Sequence, residues 1–196
     1  MRSLELAATE GPLSSRLPPE AIRVGVTAGD WRAAVRAVGE ALVASGATTA
    51  AYTDEMIATV DALGPYIVIA PGIALAHARP SGAVRRTGFA IVTLAEPVAF
   101  GHTENDPVRI VVGLAAPDET GHVDALATLA DFLADPDRQR ALLEAHDPAA
   151  IHALVLAYER GRDDGAAPAP TRPVEGGGET DTGAAETKAE RSGGIA

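Results

Sequence analysis

Among the five histidines of this chain, His77 is the one placed like a catalytic group. It follows Tyr66-Ile67-Val68-Ile69-Ala70, a short apolar run bounded by Pro65 and Pro71 that reads as a buried strand. Pro71-Gly72 breaks that strand, and Pro80 stops any helix. His77 therefore sits just beyond a buried strand, in small residues that leave an imidazole ring accessible. Imidazole, with an unperturbed pKa of about 6.5, is a competent nucleophile near neutral pH. The same position also suits a packed or surface histidine, so placement alone does not decide. His102 shares a loop with Glu104 and Asp106, which invites a metal reading. No H-x-H or HExxH spacing accompanies it, and a solvated loop is the simpler account. His146 and His152 fall on predicted C-terminal helices and read as structural or surface groups. The absence of cysteine excludes disulfides, thiolate catalysis and thiolate metal sites. No Walker A or G-x-G-x-x-G pattern marks a nucleotide site, and no cofactor is expected.

The segment Ala70 to Pro80 reads A-P-G-I-A-L-A-H-A-R-P. In this it resembles the type-2 (mannitol/fructose) EIIA domains of the bacterial sugar phosphotransferase system (PTS). It is most similar to the ascorbate-specific branch, whose phosphorylated histidine lies in A-P-G-I-A-L-P-H-A-R-P. One place differs: Ala76 stands for the usual proline, which is expected to loosen the backbone just before His77. The similarity runs from about Leu17 to Tyr158 and includes Phe100-Gly101 and Glu104-Asn105-Asp106-Pro107. It implies a phosphoryl carrier. His77 would take a phosphoryl group from the phosphohistidine of the carrier protein HPr and pass it to a cysteine on a cognate EIIB. The sugar would be phosphorylated afterwards, during transport by the membrane component EIIC, with an ascorbate-type pathway as the expected one. The alternative is a regulatory interaction module switched by phosphorylation of His77, a use that nitrogen-type EIIA proteins illustrate. The A-L-A-H-A-R-P run favours the transport branch, and a metal-dependent hydrolase is a distant third.

A side chain that carries a phosphoryl group must be unprotonated near neutral pH, and its bond to phosphorus must be labile. Imidazole meets both needs. Donors must also surround the phosphoryl oxygens, because most of the catalysis is positioning and charge stabilisation. Backbone N–H groups between Gly72 and Ala78 are candidate donors, since small side chains permit close approach. Arg79 pairs with phosphate through its fork of donors, or else docks an acidic partner from the surface. The mannitol and nitrogen-type branches carry an arginine ahead of the central strand. Thr59 to Tyr66 has none, so Arg79, or Arg85 or Arg86, is expected to take that role. His122 matches the place where the family puts a second histidine close to the first. Its implied part is to hydrogen-bond the phosphoryl group or orient His77, and the plainer alternative is a helix cap.

The elements that position these groups follow from hydrophobic period. Ile22, Val24 and Val26 alternate like a half-buried strand. Thr27 and Asp30 are spaced as a capping box for a helix whose inner face is Trp31, Ala34, Val35, Val38 and Leu42, ended by Gly46. A second helix spans about Ala50 to Leu63, with Tyr52, Met56, Ile57 and Val60 inward, and stops at Gly64-Pro65, ahead of the central strand. Thr87–Leu94 and Val108–Ala115 are further strands, rich in β-branched residues. Pro117 to Gly121 reads as a turn and His122 as the opening of a helix through Leu133. Asp135-Pro136 and Asp147-Pro148 start two more helices. Strands alternating with helices give an α/β class, and the resemblance adds a mixed sheet of about five strands flanked by helices.

Composition sets the boundaries. The folded part is expected over residues 17–159 as a single domain, after a loose arm over 1–16. Residues 160–196 hold eight Gly, three Pro and seven Ala with almost no larger apolar side chain, so they cannot bury enough surface to fold. The net charge is −11 with Lys188 the lone lysine. That acidity argues against nucleic acid or an anionic membrane as partner and favours a basic protein face. No N-terminal apolar stretch resembles a signal peptide, and no run approaches the roughly 20 apolar residues of a membrane span. A cytoplasmic location is therefore expected.

Overall fold

Five runs of small, β-branched and aliphatic residues pair into one mixed sheet. They are β1 (Ile22–Val26), β2 (Val68–Ala70), β3 (Ile73–His77), β4 (Gly88–Val98) and β5 (Val108–Ala115). The strand order is β1-β4-β5-β3-β2. β1 runs parallel to β4 and β3 parallel to β5, whereas β4–β5 and β2–β3 are antiparallel. The central strands are near-continuous apolar runs because both of their faces are covered. The computed structural model describes residues 12–164, the side chains of Thr120, His122, Asp124, Asp163 and Asp164 excepted. These residues belong to one compact α/β unit.

Helices α2 (Trp31–Ala44) and α3 (Ala50–Leu63) form one covering pair. α2 buries Ala34, Val35, Val38, Ala41 and Leu42 and packs on β4 and β5, with α3 behind it. Two glycines allow this close stacking. A Cβ on Gly113 of β5 would stand 3.0 Å from Val38 of α2, and one on Gly39 of α2 would stand 2.3 Å from the Thr53 hydroxyl of α3. The remaining helices are the short α1 (Leu13–Arg16), α4 (Glu119–Leu133), α5 (Pro136–Glu144) and α6 (Pro148–Asp164). Among the described residues no helix is long and apolar enough to cross a membrane.

Several expectations change in detail. The apolar run before His77 supplies only the three-residue edge strand β2. The strand that carries His77 is the next one, β3, whereas the expectation placed His77 just beyond a strand, among small residues. Ile73, Ala74, Leu75 and Ala76 are all buried, so no period-2 signal exists to be read. Gly72 makes the turn between them with φ of 76°, a value that glycine adopts without a Cβ penalty. Asp30 caps α2 by itself, accepting from the Ala33 N–H at 2.8 Å, and no hydrogen bond from the Thr27 side chain completes the expected box. α4 starts at Glu119, not at His122, because Asp118 takes the capping position and accepts from the Gly121 N–H at 2.8 Å.

At the chain ends, part of the arm expected over 1–16 is ordered structure. Leu13–Arg16 is helical and packs on α6 with Leu13 buried, while residues 1–11 lie outside the described residues. α6 continues to Asp164, past the expected boundary at 159. The rest of the tail expected over 160–196 lies outside the described residues.

Candidate active site

β3 delivers His77 to the end of the sheet. The register Leu75↔Val112, Ala76↔Gly113, His77↔Leu114 is unbroken, so the backbone before His77, Ala76 included, is in regular strand geometry. Alternation along β3 puts Ile73, Leu75 and His77 on one face and Ala74 and Ala76 on the other. Ala76 pairs with Gly113, which lies under α2. His77 therefore emerges on the face that α4 covers. Ile73 and Leu75 share a cavity there with Leu126, Leu129 and Leu133 of α4.

The His77 ring is half-buried and tied back to its own strand, with Nδ1 2.9 Å from the Leu75 carbonyl oxygen. A carbonyl only accepts, so Nδ1 carries the proton and Nε2 the lone pair. The Tyr66 ring meets the imidazole edge to face, with centroids 5.6 Å apart and planes at 78°. Burial raises the Tyr66 hydroxyl above its ordinary range, so it stays neutral beside His77.

His77 lines a cleft of about 930 Å³. Thr59 and Leu63 of α3 and Tyr66 form one side, Arg79 and Pro80 lie just beyond His77, and Asp118, Glu119 and Val123 belong to the start of α4. Leu63, Tyr66 and Val123 are exposed apolar groups at its rim. Arg79 is exposed and is the cationic side chain among the described lining residues, which also include two carboxylates. The N-terminal end of α4, with the partial positive charge of unsatisfied N–H groups, forms part of the wall.

Not every expected site residue gathers there. Gly72 lies at the opposite end of β3 from His77. Its N–H donates to the Asn105 carbonyl at 2.9 Å, and its own carbonyl accepts from the N–H groups of Arg109 and Ile110. Gly72 therefore has no part in a phosphate site at His77. Ala78 follows His77 directly, but its N–H donates inward to the Tyr52 hydroxyl at 3.1 Å, so it too is spent on the fold. Arg79 is in the cleft, as expected. Arg85 and Arg86 instead follow the bridge between Thr48 and Val84, where Arg86 donates to the Ser45 carbonyl. His122 is the fourth residue of α4, one residue before the cleft-lining Val123; its side chain lies outside the described residues.

The His102 loop is self-contained. The Asp106 carboxylate accepts from the N–H groups of Phe100, Gly101 and His102 at 2.6–3.0 Å. His102 Nδ1 accepts from Glu104 and Asn105. Asn105 ties the loop to the sheet by donating from its side chain to the Val68 carbonyl. Among the described residues no cluster of His, Asp and Glu is arranged to hold a metal. His146 lies in the link between α5 and α6, and His152 is on α6.

Sequence reasoning passed over three residues of this region. Tyr66 was assigned only to the strand, and Tyr52 only to the inner face of its helix. Asp118 did carry a readable signal, an acidic cap followed by Glu119 in the first turn.

Comparisons with known proteins agree with this architecture. Residues 15–158 match the family described as "Phosphoenolpyruvate-dependent sugar phosphotransferase system, EIIA 2". The chain is 38% identical over 130 residues to the ascorbate-specific PTS system EIIA component of Salmonella typhimurium, covering 64% of this chain and 84% of that protein. Over 103 residues it is 41% identical to the Escherichia coli K12 component of the same name, covering 53% and 67% respectively. The solution structure of the E. coli mannitol-specific cryptic phosphotransferase enzyme IIA CmtB superposes with a TM-score of 0.66 at 27% identity, covering 74% of this chain and 98% of that one. E. coli enzyme IIA for mannitol, solved in complex with phosphorylated enzyme IIB, gives 0.62 at 26% identity, covering 70% and 95%. A family match that spans every strand of the sheet and reaches into the last helix means that this chain belongs to the type-2 EIIA family of the phosphoenolpyruvate-dependent sugar phosphotransferase system.

Proposed function

We propose that His77 is the residue on which this EIIA component carries the phosphoryl group, and that Nε2 is the attacking nitrogen. The observation that carries this reading is the Nδ1 contact to the Leu75 carbonyl, which holds the proton on Nδ1 and leaves the lone pair on Nε2. In the first step the Nε2 lone pair attacks phosphorus as the donor's phosphorus–nitrogen bond breaks. No proton has to move on His77. Positive charge grows on the imidazole as the bond forms, and the Nδ1–H···O=C bond stabilises it. In the second step an acceptor thiolate attacks the same phosphorus, the Nε2–P bond breaks, and His77 returns to its starting tautomer.

Arg79 is the side chain suited to the phosphoryl oxygens. It is exposed in the same cleft and presents a planar fork of donors. The start of α4 adds backbone dipole on the other side. Asp118 and Glu119 face the incoming anion with like charge, which opposes tight resting binding of phosphate and suits a group that must leave again. His122, on the first turn of α4, is the second histidine that the family resemblance assigns to this cleft, as a donor to the phosphoryl group.

The partners follow from the reaction. The donor is phospho-HPr and the acceptor a cysteine of a cognate EIIB, which serves a membrane EIIC from the cytoplasmic side. The complex of the mannitol enzymes IIA and IIB supports the acceptor. The names of the Salmonella and E. coli relatives support an ascorbate-type pathway. Incubation with phosphoenolpyruvate, enzyme I and HPr is expected to add one acid-labile phosphate, seen by intact mass and lost in His77→Ala. Equal labelling of that variant would end this reading. Transfer onward to an ascorbate-type EIIB in preference to a mannitol-type EIIB checks the pathway.

A further inference from the structure

Tyr52 is on α3, buried to 1% exposure, and lines no part of the His77 cleft. Its hydroxyl nevertheless meets the backbone at the one place where β3 ends and the cleft begins. It accepts from the Ala78 N–H at 3.1 Å, and its oxygen, with one proton to donate, lies 2.9 Å from the Leu114 carbonyl oxygen and 3.1 Å from that of Ala78. Leu114 is the register partner of His77 on β5. The peptide unit that contains the Ala78 N–H joins His77 to Ala78, so holding that N–H holds ψ of His77. One side-chain oxygen thus ties the residue after His77 to the strand beside it.

A second contact from the same helix holds the far side of the same segment. Glu55, one turn after Tyr52, accepts from the Ser81 hydroxyl at 2.7 Å, and that hydroxyl accepts from the Ala83 N–H at 3.2 Å. α3 therefore grips the chain at Ala78 and again at Ser81, with Arg79 and Pro80 between. Burial pushes the Tyr52 hydroxyl up to about 12, so it keeps its proton throughout the neutral range.

We propose that Tyr52 is a positioning residue for phosphoryl transfer: through the Ala78 backbone it sets the His77 ring and the start of Arg79 relative to the cleft. This rests on the phosphoryl-carrier reading for its reaction, though not for its geometry. Reacting groups must be aligned closely, and a displacement of about 1 Å costs up to about 10²-fold in rate. Tyr52→Phe keeps the ring in its pocket and removes only the oxygen.

The experiment compares the full-length wild type, Tyr52→Phe and Thr93→Val. Thr93→Val removes a different buried hydroxyl, the acceptor of the Gly25 N–H, and serves as the stability control. Single-turnover transfer from phospho-HPr is expected to fall about 10–100-fold in Tyr52→Phe, with little change in half-saturating HPr, and to stay normal in Thr93→Val. Nitrogen-15 spectra of the His77 ring should show the pure Nδ1–H tautomer in wild type and Thr93→Val, and a tautomer mixture in Tyr52→Phe. A Tyr52→Phe protein with wild-type transfer and a wild-type His77 spectrum overturns the proposal. If that variant does not fold, the wild type decides. Its Tyr52 hydroxyl and Ala78 amide protons should be slow to exchange and should both shift when His77 is phosphorylated. Resonances that exchange freely, or that ignore phosphorylation, overturn the proposal equally. Failure of the wild type to accept phosphate removes the carrier reading, while the ring spectra still decide what Tyr52 holds.

Discussion

At the scale of the residue, the site uses few groups and commits each to one task. His77 places its proton on Nδ1 by a contact within its own strand, so the tautomer is supported locally. The backbone donors around it are largely consumed by the sheet and by Tyr52. In the proposed reaction, the work of meeting the phosphoryl oxygens therefore falls to side chains and to the start of α4. Arg79→Ala is therefore expected to slow transfer to and from His77 by about 10²-fold, the scale for losing one well-placed donor to a developing charge. Stability should move by no more than about 0.5 kcal/mol, because Arg79 is exposed. Arg79→Lys keeps the charge but not the planar fork and should recover only part of the rate. Rapid-quench transfer assays beside thermal melts separate these effects. Wild-type rates in Arg79→Ala would leave the start of α4 as the main anion-stabilising element.

Helices α2 and α3 show how closely the supporting elements are packed. α2 lies on the central strands and α3 lies on α2, and α3 in turn holds Ala78 and Ser81 beside the cleft. Gly39 is the contact that permits this, since a Cβ there would stand 2.3 Å from Thr53 Oγ1 and 2.8 Å from Thr53 Cβ. Alanine is the better helix former by about 1 kcal/mol, but overpacking a closed interface costs about 1–3 kcal/mol. Gly39→Ala should therefore be destabilising by about 1 kcal/mol on balance. Adding Thr53→Ala removes the two nearest atoms and should recover part of that loss, a coupling that a double-mutant cycle in denaturant measures. Gly39→Ala is also expected to slow phosphoryl transfer modestly, because α3, which holds Ala78 and Ser81, is the element displaced.

For the molecule as a whole, the tyrosines make a pH prediction. All three are raised above the ordinary value of 10.0, and Tyr52 goes furthest, to about 12, chiefly through burial. The unfolded chain releases the Tyr52 proton near pH 10, whereas the folded chain retains it. The associated stability is thus fully present below about pH 10 and is lost as pH rises toward about 12, by roughly 2–3 kcal/mol in total for this one group. Denaturant melts across that range should show the decline, and Tyr52→Phe should flatten it. Tyr66 and Tyr158 are partly exposed and add less. A tyrosinate absorbance that rises near pH 10 before any loss of folded signal, and that Tyr52→Phe removes, would show that Tyr52 is less enclosed than its contacts indicate.

What the sequence by itself determined was the class and the family. The A-L-A-H-A-R-P run makes His77 and Arg79 the candidates through its resemblance to that family, because a contiguous motif needs no long-range information. The strands at Ile22–Val26, Thr87–Leu94 and Val108–Ala115 and most helices are legible because β-branched runs and helical spacing are local signals. β3 is not. A strand buried on both faces carries no alternation, and its alanines owe their size to Gly113 and α2, which lie far away in the chain. The donors expected from Gly72 and Ala78 failed for the same reason. Whether an N–H is available depends on what accepts it, and those acceptors are Asn105 and Tyr52. Only the tertiary structure decided that Tyr52, an inward residue of a helix by its pattern, reaches the backbone next to His77, because hydrogen bonds between distant segments leave no period in the sequence.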